Sequence, residues 1–247
     1  MYLEIDMGNT RTKWRIRDGL NIVKAGLFFA DESLDQLESM MAPYIGRLTA
    51  VWIVSVVSEK QEAKIICWVQ DRLSLKPLFA KSSSSICGVT NAYKKPELLG
   101  VDRWLGILSA YHRVGGACIV FSFGTAVTAD AIGADGGHLG GFIGPGLSLL
   151  VGSLSNNTSR IQSNHADLYL SADFGLSTSE AICGGCTSML CGFVDNAIEQ
   201  MRLKIGDESF ELIFTGGDAI RLLPFYSSAS LINDLVLDGL KYVMGEC

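Results

Sequence analysis

Two stretches of the chain, Ile5-Asp6-Met7-Gly8-Asn9-Thr10-Arg11-Thr12 and Phe121-Ser122-Phe123-Gly124-Thr125-Ala126-Val127-Thr128, resemble each other at an offset of 116 residues. A chain that repeats itself in this way is constrained to build one unit twice. Each copy ends an apolar run, residues 1–5 and 117–121, and leads into a second strand candidate, residues 13–16 and 126–132. The shared unit is strand, glycine turn, strand, with the aspartate of the first copy replaced by Ser122 in the second. A glycine turn bordered by Asn or Thr leaves backbone N–H groups to face an anion, and two such turns facing each other can grip a polyphosphate. Ordinary β-hairpins would carry the same residues, so that reading stands beside the nucleotide one. A third glycine turn, Thr215-Gly216-Gly217-Asp218-Ala219, follows the apolar run 210–214 and opens a short helix candidate over 219–223. A helix start after such a turn offers space and positive dipole to a nucleotide. The chain has neither the Walker A spacing nor G-x-G-x-x-G, which disfavours a P-loop or dinucleotide fold.

The repeat favours two lobes, and 247 residues suffice for both. With 48% apolar and 19% charged residues the composition is that of a compact globular protein. The net charge of −6 and the absence of any basic run longer than Lys94-Lys95 exclude a nucleic-acid binder as the first expectation. Apolar stretches are broken by Gly, Ser or charge well before a membrane span, and Glu4 and Asp6 fall where a secretory leader would be apolar. A cytoplasmic protein without membrane association is expected. Seven cysteines, an odd number, fit reduced thiols. Cys183-Gly184-Gly185-Cys186 has redox or zinc-knuckle spacing but lacks a second pair, and His112, His138 and His165 show no convergence on a metal.

Along the chain, a strand over 22–29 precedes a helix over 33–42 that Pro43 stops, then a β-branched strand over 51–57 and a helix over 60–73. The serine tract 82–85 reads as a loop. Pro96 precedes a helix running through Trp104, Leu108 and Tyr111 that crosses between lobes, so the N-terminal lobe is expected over residues 1–115 and the C-terminal lobe over 116–247. The second lobe carries strands at 117–122, 126–132 and 138–143, a Gly144-Pro145-Gly146 turn, a long helix over 179–203, a strand at 210–214 and a last helix over 234–244.

Gly100-Val101-Asp102-Arg103 sets an acid beside an arginine at a helix start. Asp102 could serve only as a helix cap with Arg103 solvated. The same geometry also keeps a carboxylate ionised to accept a proton from an alcohol, while Arg103 offers planar donors to a carboxylate. Phosphoryl transfer needs this division of labour: loops hold the phosphates, a metal ion neutralises them and a carboxylate orients the attacking hydroxyl. Asp6 is the candidate nearest the metal and phosphates, unless it merely forms the turn.

Together, Asp6-Met7-Gly8-Asn9-Thr10 with Lys13, Gly100-Val101-Asp102-Arg103, Gly124 to Thr128, Gly140-Gly141-Phe142-Ile143-Gly144-Pro145-Gly146 and Thr215 to Ala219 resemble type III pantothenate kinase, in the right order over nearly the whole chain. The resemblance implies an α/β fold of two ribonuclease-H-like lobes, as in actin-like ATPases and sugar kinases. It also implies a homodimer and Mg²⁺- and ATP-dependent phosphorylation of pantothenate to 4′-phosphopantothenate, the first step toward coenzyme A. By position it makes Asp102 the proton acceptor and surrounds pantothenate with Tyr93, Gly100, Val101, Asp102, Arg103 and Thr178. Asp6, Met7, Gly8, Asn9, Thr10, Arg11, Thr12, Lys13 and Thr125 would hold the ATP phosphates, and Gly216 and Gly217 the adenosine side. The family's second phosphate loop opens with an aspartate that ligates potassium or ammonium, and Ser122 stands there instead. A serine hydroxyl is a neutral ligand that adds no charge to hold a cation. Two rival expectations follow: a weakened kinase-fold protein that binds ATP or pantothenate in a regulatory role, or a kinase of another small carboxylate-bearing alcohol.

Overall fold

The computed structural model describes residues 1–29, 34–157, 170–171 and 173–245. The chain divides into two compact units. Unit 1 comprises residues 1–87, 93–109 and 236–247, and unit 2 comprises 88–92 and 110–235. Relative to the division at 115/116 expected from the repeat, residues 88–92 and 110–115 group with unit 2 and residues 236–247 with unit 1.

Unit 1 is built on five strands, β1 (Tyr2–Met7), β2 (Arg11–Asp18), β3 (Asn21–Phe29), β4 (Ala50–Ser55) and β5 (Leu78–Phe79), in the order β3-β2-β1-β4-β5. The first three form an antiparallel meander, and β4 and β5 add in parallel. Such parallel additions need crossovers. α1 (Leu34–Met41) and a 3-10 turn over Ala42–Arg47 supply the first, α2 (Glu59–Trp68) the second. The α-helix ends at Met41, as expected ahead of Pro43, which lies in the first turn of the 3-10 segment. Strand period two sends Leu3, Ile5 and Met7 into a core with Trp14, Ile16, Ile53 and Ile65. The helix expected from Pro96 onward is two elements, a 3-10 turn at Pro96–Leu98 and α3 (Val101–Val114), and the boundary between units falls inside α3. Two short strands, β6 (Ser85–Ile86) and β7 (Val89–Thr90), precede it.

Unit 2 repeats the architecture. Its strands are β8 (Cys118–Phe123), β9 (Ala126–Ile132), β10 (His138–Pro145), β11 (Glu211–Thr215) and β12 (Ser230–Leu231), in the order β10-β9-β8-β11-β12, again an antiparallel meander extended by two parallel strands. Its core gathers Phe121, Phe123 and Phe214, with the Phe214 ring edge-on to the other two at 5.4 and 4.9 Å. Each such pair contributes about 0.5–1.5 kcal/mol beyond burial. Among the described residues, two helices lie between β10 and β11. α4 (Leu147–Asn157) follows the Gly-Pro-Gly segment, which itself continues β10 through Pro145, and α5 runs over Thr178–Ile205. By length and composition α5 could cross a membrane. Its stripe Ile182, Cys186, Leu190, Val194, Ala197 and Met201, spaced three or four residues apart, is instead part of the unit's core. The short α6 (Ala219–Leu222) follows β11, and α7 (Leu235–Val243) returns the chain to unit 1.

The polar face of the first sheet is unusual. Glu4 is fully buried and its carboxylate accepts from Arg15 Nε and, at 2.9 Å, from Arg17 Nε. Arg15 Nη1 donates at 2.6 Å to Asp238 of α7, and the Arg17 guanidinium lies over the stacked rings of Tyr2 and Trp52. Burial disfavours the Arg15 charge, but Glu4 and Asp238 more than compensate and hold the guanidinium above its ordinary value. Two buried guanidiniums thus share the buried Glu4 carboxylate, with the partly exposed Asp238 completing the charge balance. Removing one partner of such a set leaves an uncompensated buried charge, which costs about 3–5 kcal/mol. Glu4→Ala should therefore lower the stability of unit 1 by that amount, and Glu4→Gln by less. Since Trp14, Trp52, Trp68 and Trp104 all lie in unit 1, tryptophan fluorescence during urea unfolding reads this unit alone.

Candidate active site

Both copies of the repeat are β-hairpin turns. In unit 1, Met7 pairs with Thr12, and Gly8 N donates to Arg11 O at 3.2 Å across the exposed pair Asn9-Thr10. The rung below sets Asp6 opposite Lys13, and the rung below that on the same face sets Glu4 opposite Arg15. Asp6 and Lys13 therefore continue the buried charged row to its solvent end, where both are half-exposed. An anion meeting this turn finds backbone N–H groups beside an ammonium, with a carboxylate at hand for a metal ion.

The second cluster of unit 1 surrounds the start of α3. Asp102 lies in the first turn, where its Oδ1 accepts from Arg103 N at 2.8 Å. The carboxylate is held by the backbone of its own helix's first turn. A Cβ on Gly100 would lie 2.8 Å from Asp102 Oδ1, which explains why this position is glycine: any side chain would push the carboxylate away. Arg103 is buried, its Nη1 donates to Tyr93 Oη at 3.0 Å, and its guanidinium lies 5.8 Å from the Tyr93 ring centre. Tyr93, Gly100, Asp102 and Arg103 are brought together. The arginine is not solvated.

In unit 2 the hairpin turn is one residue shorter. Phe123 pairs with Val127, Gly124 N donates to Ala126 O at 3.0 Å, and Gly146 N donates to Thr125 O at 2.9 Å, fastening the loop to the end of β10. The rung equivalent to Asp6–Lys13 is Ser122–Thr128, and β11 adds Thr215 beside Ser122. Three hydroxyl side chains thus stand in one row across β9, β8 and β11, where unit 1 has a carboxylate and an ammonium. The carboxylate nearest in register on that face is Asp130, one rung deeper, 2% exposed and joined to His138 Nε2 at 3.1 Å. The Gly216-Gly217 turn lies directly beside this loop, because Thr215 pairs with Ser122. Asp218 N donates to Phe123 O at 3.1 Å. Gly216 has φ +94°, and a Cβ there would overlap Phe123 O, so only glycine lets the turn sit against β8. The helix that follows, α6, has four residues, too few for the substantial dipole expected of it.

Thr178, expected near the substrate, is the exposed first residue of α5, preceded by Ser177, whose Oγ accepts from Glu180 N at 3.2 Å. Cys183 and Cys186 are buried on α5, and burial, with Cys183 alongside, raises the Cys186 thiol. They are core residues. Cys67, Cys118, Cys183, Cys186 and Cys191 are free thiols, whereas Cys87 is disulfide-bonded, against the expectation of a fully reduced set. His165 lies outside the described residues. Among the described residues no group of three or more His, Cys, Asp or Glu is placed to hold a metal ion. Sequence reasoning missed the alignment of Thr128 and Thr215 with Ser122, although each stood in a motif already singled out. Only strand register reveals that they share a row.

Comparison with known proteins places this geometry in context. The family model for type III pantothenate kinase matches residues 2–200. The type III pantothenate kinase of Pseudomonas putida (strain W619) is 39% identical over 245 residues, covering 97% of this chain and 97% of that protein. Among solved structures, a Campylobacter jejuni protein assigned to the Baf family of transcriptional activators matches with a TM-score of 0.66 at 20% identity over 99% of this chain and 98% of that one. A Sinorhizobium meliloti protein assigned as a 2-dehydro-3-deoxygalactonokinase matches with a TM-score of 0.60 at 11% identity, covering 98% of each chain. MreB5 of Spiroplasma citri, solved with ADP, matches with a TM-score of 0.54 at 9% identity over 97% of this chain and 94% of that one. At such identities these structures establish a common fold, the α/β fold of actin-like ATPases and sugar kinases, and nothing further.

Proposed function

The chain belongs to the type III pantothenate kinase family, and from that premise we infer that it transfers the γ-phosphoryl group of ATP to the hydroxyl of pantothenate, giving 4′-phosphopantothenate on the way to coenzyme A. The observation that carries the assignment of roles is the Asp102 carboxylate, fixed over the first turn of α3 beside a buried arginine that is itself held by Tyr93. Asp102 accepts the proton as the alcohol oxygen bonds to the γ-phosphorus and the bond from that phosphorus to the departing ADP oxygen breaks. Arg103 and Tyr93 offer donors to the carboxylate end of the substrate, with Gly100, Val101 and Thr178 completing its surroundings. The first lobe (1–115) brings the loop from Asp6 to Lys13 to the phosphates of MgATP, with Asp6 on the metal side. The second lobe (116–247) brings Thr125 to the phosphates and Gly216 and Gly217 to the adenosine. Chemistry of this kind rests on positioning and charge, so its residues act through where they hold groups.

Asp102→Asn keeps the volume and removes the proton-accepting charge. Turnover should fall by about 10²- to 10⁴-fold while ATP affinity stays nearly intact. Steady-state rates and calorimetric ATP binding check this, and an Asn variant that turns over at the parental rate would reduce Asp102 to a helix cap.

A monovalent cation held by a carboxylate at the second loop does not fit the residues present. Ser122, Thr128 and Thr215 are neutral, and Asp130 is committed to His138. Activation by potassium or ammonium should be shallow or confined to high concentration. Ser122→Asp should create or steepen it, because an anionic oxygen in a partly desolvated cleft outweighs a hydroxyl. Rates measured against both cations decide the matter: saturable activation of the parent at low concentration would mean the site survives without the aspartate. Ser122 also favours the second reading, a weakened kinase that binds ATP and pantothenate in a regulatory role, which a parent silent with and without cations would support.

The working form is a homodimer in the cytoplasm. Exposed Phe174 and Leu176 before α5 and Met189 on it give the fold an apolar surface of the kind that subunits cover. Light scattering at micromolar concentration should return twice the chain mass of 26.6 kDa; the single-chain mass refutes the dimer.

A further inference from the structure

None of the site roles given above involves α7, yet two consecutive residues of this helix reach the two clusters of unit 1. Asp238 accepts from Arg15 Nη1 at 2.6 Å, and Arg15 in turn holds the fully buried Glu4. Glu4 and Asp6 are alternate residues of β1 on one face, and their partners Arg15 and Lys13 are alternate residues of β2. The ion pair therefore bears on the rung directly below Asp6 and Lys13. Gly239, the next residue, abuts α3. A Cβ there would overlap Leu105 O and stand 2.8 Å from Leu105 Cβ, so the backbone of α7 rests on α3 three residues after Asp102. A glycine inside a helix is a poor choice for helix stability, and this contact accounts for it.

We propose that α7 is a positioning element of the phosphoryl-transfer site, in which Asp238 braces the phosphate-loop hairpin through Arg15 and Gly239 seats the same helix on α3, so that the spacing of the Asp6–Lys13 rung from Asp102 depends on α7. The inference deepens the kinase reading and rests on it for its catalytic consequence. Asp238 and Gly239 are positioning residues, and neither carries a reacting group.

The test compares the full-length parent with Asp238→Asn and Asp238→Glu, since Gly239→Ala risks a misfolded chain. A charge-assisted bond is about twice as strong as a neutral one, so the Asn variant should loosen the brace on the order of tenfold. Hydrogen exchange should rise by about that factor in residues 8–13 and 101–105 and stay unchanged in β4, while kcat falls by a similar factor with little change in KM for pantothenate. The Glu variant should recover most of both. Exchange that is unchanged in either segment, or that rises equally in β4 as general destabilisation would make it, overturns the proposal, as do unaltered kcat and KM in a folded Asn variant. If the parent itself fails to phosphorylate pantothenate, the kinase reading falls, and the exchange pattern still decides whether α7 couples the two segments.

Discussion

Glu4 takes two arginines out of water with it, and the register of the first hairpin depends on that. A slip of one residue between β1 and β2 would carry every side chain to the opposite face, driving Glu4 into the core that holds Leu3 and Ile5. The alternative pairings are thus excluded by the cost of an unpaired buried charge as well as by lost apolar burial. Once Glu4 faces Arg15, Asp6 must face Lys13, and the turn between them is set. The half-exposed pair at the turn is placed by charged residues buried beneath it.

The two units share strand order and turn position but not electrostatics. On the polar face, successive rungs of unit 1 are Tyr2–Arg17, Glu4–Arg15 and Asp6–Lys13, whereas those of unit 2 are Cys118–Ile132, Val120–Asp130 and Ser122–Thr128. Charge is sparse in the second series. Its one carboxylate has moved to the second strand and is matched by His138, and burial pushes the Cys118 thiol up to about 12, so it stays neutral. A hydroxyl at 122 is therefore consistent with its neighbours, and does not stand as a lone gap in an otherwise charged site.

What could be read from the chain was what local pattern encodes. The repeat located both hairpins, the long helix expected over 179–203 is α5, and Gly100 to Arg103 marked a helix start with an acid in its first turn. α4 escaped because Ser148, Gly152, Ser153 and Ser155 have weak helix propensity, and the helix is held by burial of Leu147 and Val151. The helix expected after Pro96 begins only at Val101, because Leu99 is extended and Pro96–Leu98 forms a separate 3-10 turn. No local signal links residue 238 to residue 15, or tells that Thr215 lies beside Ser122. Those are facts of tertiary pairing.

Unit 1 is discontinuous, and this bears on how the protein is made. Asp238 is synthesised 223 residues after Arg15, with nearly all of unit 2 in between. At synthesis rates of about 5–20 residues per second the nascent first unit waits roughly 10 to 45 s for its last helix, with Arg15 lacking one of its two carboxylates and the seat on α3 uncovered. The first half of the molecule to leave the ribosome is consequently the last to be finished, and unit 2 can complete its own core while its predecessor is still open.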